Sequence, residues 1–440
     1  MDVEEYVRRR FSGCSDRETL QKNLTDRVLE MKNVRRTYAD AFSQAVINEV
    51  ENTLGLKGDF FEFEPAHVNM GEFGVGSRGQ GDFFAHRQIA RIIGKTSASV
   101  GVDEMDDAGA VCAEGKYIIC TVDGMHSRLS DYPFLAGFHV TRATLRDAYV
   151  MGAKPVMLFS DIHVADDGDV AKIFDYTAGI TTVGEAMNVP LVTGSTLRIG
   201  GDMVLGNRLT GCVGAVGVAD HLTARKATKA GDVILMSEGA GGGTIATAAI
   251  YSGFPEVVEY TINLNFLMAC ETLMKSEVFS HIHAMTDVTN GGLRGDVFEM
   301  AETANCRIVI DEAATTTLVE SHVRDMLEKL EIDYLGVSLD ALLIVAPPDA
   351  ADEICRIVKT AGVRMRQVGY VEPGKPESVL LIEGKECDFT PRFRESAYTP
   401  VKKVVDTDSR NFDAMKEGVL HAAEAAMQKK ERVLKKLQKK

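Results

Sequence analysis

Carboxylates recur in one stretch of this chain in a pattern that suits phosphate chemistry. Asp103-Glu104-Met105-Asp106-Asp107 precedes Ala108-Gly109-Ala110-Val111, an apolar run leads into Thr121-Val122-Asp123-Gly124-Met125-His126, and Asp147 precedes Met151-Gly152-Ala153-Lys154-Pro155. Acids at strand ends and turns can converge, and converged acids repel one another unless a cation sits among them. Ligand sets made only of oxygen suit Mg²⁺, which usually takes further oxygens from a phosphate. The expectation is a Mg-nucleotide site built within residues 101–154. Just upstream, residues 70–82 carry Gly71, Gly74, Gly76, Gly79 and Gly81. Such a backbone can bend closely round a ligand, and its NH groups can cradle phosphate. A surface loop is the equal alternative, because the spacing is neither a Walker A nor a dinucleotide fingerprint.

Phosphoryl transfer needs charge neutralisation and in-line positioning more than covalent help. Arg78, Arg142, Arg146 and Arg198 can carry phosphate charge, or can be surface ion pairs. His126 can be a base or a plain hydrogen-bond donor. His281 and His283 have the spacing of two metal ligands on a strand, but a satisfied turn pair is the better reading.

The elements that must position these groups follow from periodicity. Residues 1–65 read as a helical extension, with Leu24, Val28, Met31, Tyr38, Phe42, Val46, Val50 and Leu54 at helical spacing. A strand over 111–122, a helix over 137–151, a strand over 156–164, a helix over 170–187 and strands over 189–192 and 208–218 make an α/β unit at 66–220. A linker near 220–230 leads to a second α/β unit at 230–398. There Gly239 to Gly243 open a helix, and a strand over 284–288 breaks at Asn290-Gly291-Gly292. Residues 408–440 form an amphipathic helix with a basic end, read as docked on the body.

Composition narrows the function classes. The 440 residues hold 49 basic and 64 acidic side chains, for a net charge of −15. That argues against nucleic acid, whose phosphates demand basic surface. Eight cysteines form no CxxC pair and fit buried reduced thiols in a cytoplasmic protein. No long apolar span suggests a membrane.

In this order, the segments resemble the AIR synthase (PurM-like) superfamily. It includes aminoimidazole ribonucleotide synthetase, thiamine-monophosphate kinase, selenophosphate synthetase and the hydrogenase maturation factor that makes the cyanide ligand. Gly81-Asp82-Phe83 followed by Asp106-Asp107-Ala108 resembles the opening of thiamine-monophosphate kinase. Thr121-Val122-Asp123 resembles the family's T-T-D. Asp147 with Met151 to Pro155 resembles D-x-x-x-M-G-A-K-P, and Thr286-Asp287-Val288-Thr289-Asn290-Gly291-Gly292-Leu293 resembles a turn of selenophosphate synthetase.

The resemblance implies a mixed α/β fold of two AIR synthase-like domains, the N-terminal one dimerising through its sheet, with extra helices at both ends. It implies ATP and Mg²⁺ in the cleft and a small acceptor beside them. Asp106, Asp107, Asp123 and Asp147 become the candidate metal ligands, and Asp123, Asp147 and His126 the candidate catalytic groups. Arg78, Gly79, Gln80, Gly81, Gly194, Ser195, Thr196, Asp287 and Asn290 become candidates for holding the nucleotide. The chain also departs from the family. Asp103-Glu104-Met105 lengthens the first turn. Neutral Ser195 stands where the family has an acid, with Asp202 as a possible substitute. Ser338-Leu339-Asp340 replaces D/S-E-G, and neither the maturation factor's C-terminal cysteine nor the selenophosphate enzyme's reactive Cys and Lys is present. The function expected is therefore ATP- and Mg-dependent activation of a small acceptor by a kinase or synthetase. The alternative is a nucleotide-binding maturation scaffold with little turnover, whose terminal helices meet a client protein.

Overall fold

The computed structural model describes residues 1–11, 16–77, 79–289, 291–395, 397–406 and 411–438. Its first sheet contains β1 (Gly109–Ala113), β2 (Lys116–Gly124), β3 (Lys154–Val164), β4 (Leu191–Arg198) and β5 (Leu209–Ala219), in the order β1-β2-β5-β3-β4. The single strand expected over 111–122 is a hairpin. Glu114 and Gly115 turn it with φ of 48° and 78°, the paired positive values that match the twist of the flanking strands. Helices Pro133–Val150 and Ala171–Ala186 pack together beside this sheet. Their backbones touch, since a Cβ at Gly137 would overlap Tyr176 O and one at Gly179 would overlap Phe134 O. In the sheet itself, Val122 on β2 and Met157 on β3 remain exposed.

The second sheet holds β6 (Val233–Ser237), β7 (Ala284–Asp287), β8 (Arg307–Asp311), β9 (Leu342–Ala346), β10 (Met365–Glu372), β11 (Glu377–Ile382) and β12 (Lys385–Asp388), in the order β12-β11-β8-β10-β6-β9-β7. Every residue of β6 and β9 is buried, which explains their unbroken apolar runs: both faces are covered. β7 is an edge strand, and it ends at Asp287. One apolar cluster joins Leu145, Leu158 and Val213 of the first unit to Leu235, Phe266 and Met285 of the second. The two units therefore share a core. The linker is part of it, with Thr223 and Arg225 fully buried.

Both ends of the chain dock on this body. Helices Val3–Phe11, Arg17–Met31 and Arg36–Thr53 bury Val3, Leu24, Val28 and Ile47 together with Leu205 from the β4–β5 loop. The amino group of Met1 donates to Leu205 O at 2.7 Å, and Lys32 is buried against Asp166 and Asp167. The helix Phe412–Gln438 buries Met415 and Ala423 and lies along helix Gln80–Ile93. Lys430 Nζ caps that helix by donating to Ile92 O and Ile93 O at 2.6 and 2.9 Å. The docked amphipathic helix expected from the sequence is what the structure contains. Among the described residues, no helix is long and apolar enough to cross a membrane.

Candidate active site

Four acids from three local motifs reach one cavity. Asp106 and Asp107 occupy the turn before β1, Asp123 sits near the end of β2, and Asp147 lies on the last turns of helix Pro133–Val150. All four line a cavity of about 450 Å³, as do His126, His139, Arg146, Asp340, Gly76, Asp82 and the glycine run at Gly242 and Gly243. Thr121 Oγ1 donates to Asp147 Oδ2 at 2.9 Å, fixing the helix acid against β2. Asp287 approaches from the second sheet, where it is fully buried 3.0 Å from Arg146 Nε.

Among the described residues, two of these acids leave oxygens without a hydrogen bond: Asp107 Oδ2 and both oxygens of Asp287 accept none. Burial pushes the Asp106 carboxyl up to about 7, with Asp107 adding to the shift and Arg225 opposing it. Asp287 rises to about 6, again mainly through burial, against the pull of Arg146. Asp147 is held well above the usual carboxylate range by burial and then by Asp123, Asp287 and Asp107. Buried carboxylates with raised pKa values are a mark of functional sites.

The counter-charge comes from three buried arginines. Arg225 of the linker is the least expected. Its backbone N donates to Asp106 Oδ2 at 3.0 Å, and its guanidinium bonds Asp107 Oδ1 at 2.6 Å and Glu299 Oε2 at 3.0 Å. Burial opposes that charge, but Asp107, Glu299, Asp296 and Asp106 outweigh it and raise its pKa. Arg146 bridges Asp287 and Asp340, and Arg142 also pairs with Asp340. Asp340 takes φ of 54° to meet both. This non-glycine left-handed residue stands where the sequence departs from the family motif. Three guanidinium groups thus face six aspartates: 106, 107, 123, 147, 287 and 340.

This excess fits a hard divalent cation better than a soft one, because the aspartates offer only oxygen donors. The cage is incomplete: among the described residues, no three His, Cys, Asp or Glu side chains stand together as a ready metal site. A cation there would complete its shell with phosphate and water oxygens, as Mg²⁺ commonly does.

Other expected residues lie elsewhere. The amides of Gln80 and Gly81 donate to Arg392 O and Phe393 O at 2.9 and 3.1 Å, and a Cβ at Gly79 would overlap those same carbonyls. The segment after β12 has closed over this part of the glycine loop. Gly76 and Asp82 face the cavity instead, joined by Gly76 N to Asp82 Oδ1 at 3.1 Å. Gly194, Ser195 and Thr196 lie on β4, the edge strand farthest from β2, and do not line the cavity. Asp202 does not replace the acid missing at Ser195, because it pairs with Arg198 at the surface. Asp103 is absent from the cavity wall, and Glu104 pairs with Lys226 at 2.9 Å. His283 bonds Asp232 Oδ2 at 2.8 Å, the satisfied arrangement expected. Arg78 and Asn290 lie outside the described residues.

Sequence reasoning missed Arg225, His139 and the Gly242–Gly243 wall. It also missed Tyr398, whose ring centroid is 6.5 Å from that of His126. For the glycines a signal existed, the run Gly239-Ala240-Gly241-Gly242-Gly243 at a helix start. For Arg225 there was none, since its partners lie 61 to 120 positions away.

An α/β chain of two such units, with acids converging from the first and an aspartate arriving from the second, has the organisation of an AIR synthase-type protein. Residues 105–219 match the N-terminal domain of AIR synthase related proteins, and residues 229–382 match their C-terminal domain. The chain belongs to this family. It is 49% identical over 447 aligned positions to the uncharacterized protein MJ1416 of Methanocaldococcus jannaschii, covering 99% of this chain and 98% of that one. It is 28% identical to a selenide, water dikinase of Myxococcus xanthus, over 63% of this chain and 86% of that one. A crystal structure of the hydrogenase maturation protein HypE in complex with ATP superposes with a TM-score of 0.54 at 19% identity. That match covers 73% of this chain and 97% of HypE. At that identity the likeness is one of fold.

Proposed function

We propose that this protein is an ATP- and Mg²⁺-dependent enzyme that activates a small acceptor by phosphoryl transfer. The observation that carries the reading is the excess of half-buried and buried acid over buried cation at one cavity. A cation bound with a nucleotide would relieve it. The ATP in the HypE complex and the kinase activity named for the Myxococcus relative support the same reading. Asp106, Asp107, Asp123 and Asp147 would hold Mg²⁺, which supplies neutralisation of the phosphate charge.

The chain's own residues supply the rest. Arg146 is a fixed cation beside Asp147. Thr121 holds the Asp147 carboxylate still. His126 is neutral at physiological pH, since burial, then Lys402 and Arg146, depress its pKa to about 4. It is therefore a hydrogen-bonding group rather than a charge. The exposed apolar side chains Val156, Met157 and Val192 fit a homodimer formed through the first sheet, as the sequence reading expects of a cytoplasmic member of this family.

Release of ADP from Mg-ATP, compared between the wild type and Asp123→Ala, tests the proposal. Wild-type turnover that disappears in the variant is the expected result, and equal turnover in both overturns the metal assignment. One observation favours the alternative of a nucleotide-binding scaffold serving a client protein: Arg225 already partly neutralises Asp106 and Asp107. Tight binding of an ATP analogue without turnover across many acceptors would select that reading.

A further inference from the structure

The acids occupy one part of the cavity, and a different chemistry lines another. His139 is 3% exposed and projects from helix Pro133–Val150 into the cavity wall. Its Nε2 lies 3.3 Å from Thr261 Oγ1, and that hydroxyl donates to Val258 O at 2.6 Å. A hydroxyl has one proton to give, so the proton between His139 and Thr261 must belong to Nε2. The ring is neutral, its pKa held well below the usual value by burial and then by Arg142. A neutral imidazole protonated on Nε2 has a bare lone pair on Nδ1. Among the described residues, Nδ1 has no hydrogen-bond partner. Buried acceptors are rarely left so, and each such group calls for an explanation.

Beside His139 stand a buried guanidinium, already paired with Asp340, and a helix start. Arg142, one turn along the helix, donates to Thr261 O, Asn263 O and Gly241 O at 2.7, 2.8 and 2.9 Å. Next to it the ten-residue helix Gly243–Ser252 begins, with Gly242 and Gly243 lining the same cavity. The leading amides of a helix have no partner within it, and its dipole favours an anion at that end. The glycines are needed for close approach: a Cβ at Gly242 would crowd Asp340 and Arg142, and one at Gly243 would overlap the His126 ring.

We infer that this part of the cavity is the acceptor subsite, and that it takes a small oxyanion which itself donates a hydrogen bond. The oxyanion lies at the helix start and its OH or NH points to His139 Nδ1. Hydrogen phosphate and hydroxy- or amino-carboxylates have this chemistry, whereas sulfate and simple carboxylates have only half of it. Calling the ligand an acceptor rests on the phosphoryl-transfer reading; the selectivity itself does not.

The test is calorimetric titration of the full-length protein, saturated with Mg²⁺ and a non-hydrolysable ATP analogue, with two matched pairs of probes: phosphate against sulfate, and glycolate against acetate. Preference of at least about tenfold for one donor-bearing member is expected, and which pair shows it separates a phosphate acceptor from a carboxylate one. The preference should vanish in His139→Leu and return in His139→Gln, which restores an acceptor atom. Should the leucine variant not fold, the ¹⁵N spectrum of the wild-type imidazole decides. An unprotonated Nδ1 that shifts with phosphate or glycolate but not with sulfate or acetate supports the inference, and a protonated Nδ1 overturns it. Equal binding within both pairs also overturns it. Failure of the ATP analogue to bind counts instead against the phosphoryl-transfer reading, and the probes are then titrated into the protein alone.

Discussion

Asp107 and Arg225 form a buried ion pair at the edge of the acid cluster. Arg225 is fully buried, and its guanidinium meets Asp107, Glu299, Thr286 and the carbonyl of Met105. Removing one partner of a buried ion pair strands the other, at about 3–5 kcal/mol. Arg225→Met should therefore lower unfolding stability by about that amount, read from denaturant midpoints. A loss below about 1 kcal/mol would show that the acids are solvated or protonated in the native state. Asp123→Asn acts in the opposite sense. It removes a like charge from the cluster, so the protein without nucleotide should be no less stable, while turnover of Mg-ATP falls by about 10²-fold or more, the scale of losing a main electrostatic contact. Equal losses of stability and activity would mark Asp123 as structural.

Packing between elements holds the cavity's walls in place. The glycine loop is closed by the chain after β12, and a Cβ at Gly81 would overlap Phe73 O and crowd the Phe393 ring. Gly81→Ala should cost about 1–3 kcal/mol, the usual range for forced overpacking, and should increase proteolysis within residues 391–406. An unchanged melting temperature and cleavage pattern would mean that this segment is not packed as described. The local motifs were legible in the sequence because each carries its own turn chemistry. Asp106-Asp107 before a strand, Asp123 at a strand end and Asp147 ahead of Met151-Gly152 all reach the cavity as their spacing suggested. The β1–β2 hairpin was misread as one strand because Glu114-Gly115 sits inside an apolar run. Ser195 and its neighbours were assigned to the nucleotide through a motif likeness, but sheet order places them on the far edge strand. The contacts that close the site, such as Gln80 with Arg392 or Arg225 with Asp107, join positions more than 100 apart. No periodicity records them.

Across the whole molecule, the two sheets share a core and a buried linker, so the cleft between them is set by packing. A ligand bound there should stabilise both units together. With an ATP analogue at about 100 times its Kd, the expected gain is about 2.7 kcal/mol, seen as one cooperative transition moving upward. Two separated transitions, with only one responding, would contradict the shared core. The N-terminal helices dock through Lys32 and Leu205, neither of which lines the cavity, so Lys32→Met should loosen them to proteolysis without altering nucleotide affinity.

The proposed function requires the acids of this cleft to hold a divalent cation together with a nucleotide. Calorimetric titration of a non-hydrolysable ATP analogue, with Mg²⁺ and then with EDTA, tests it most directly in the wild type and in Asp123→Asn. Binding should weaken by about tenfold or more when Mg²⁺ is removed, and the variant's weaker binding should no longer respond to Mg²⁺. Binding of equal strength in all four titrations would contradict it.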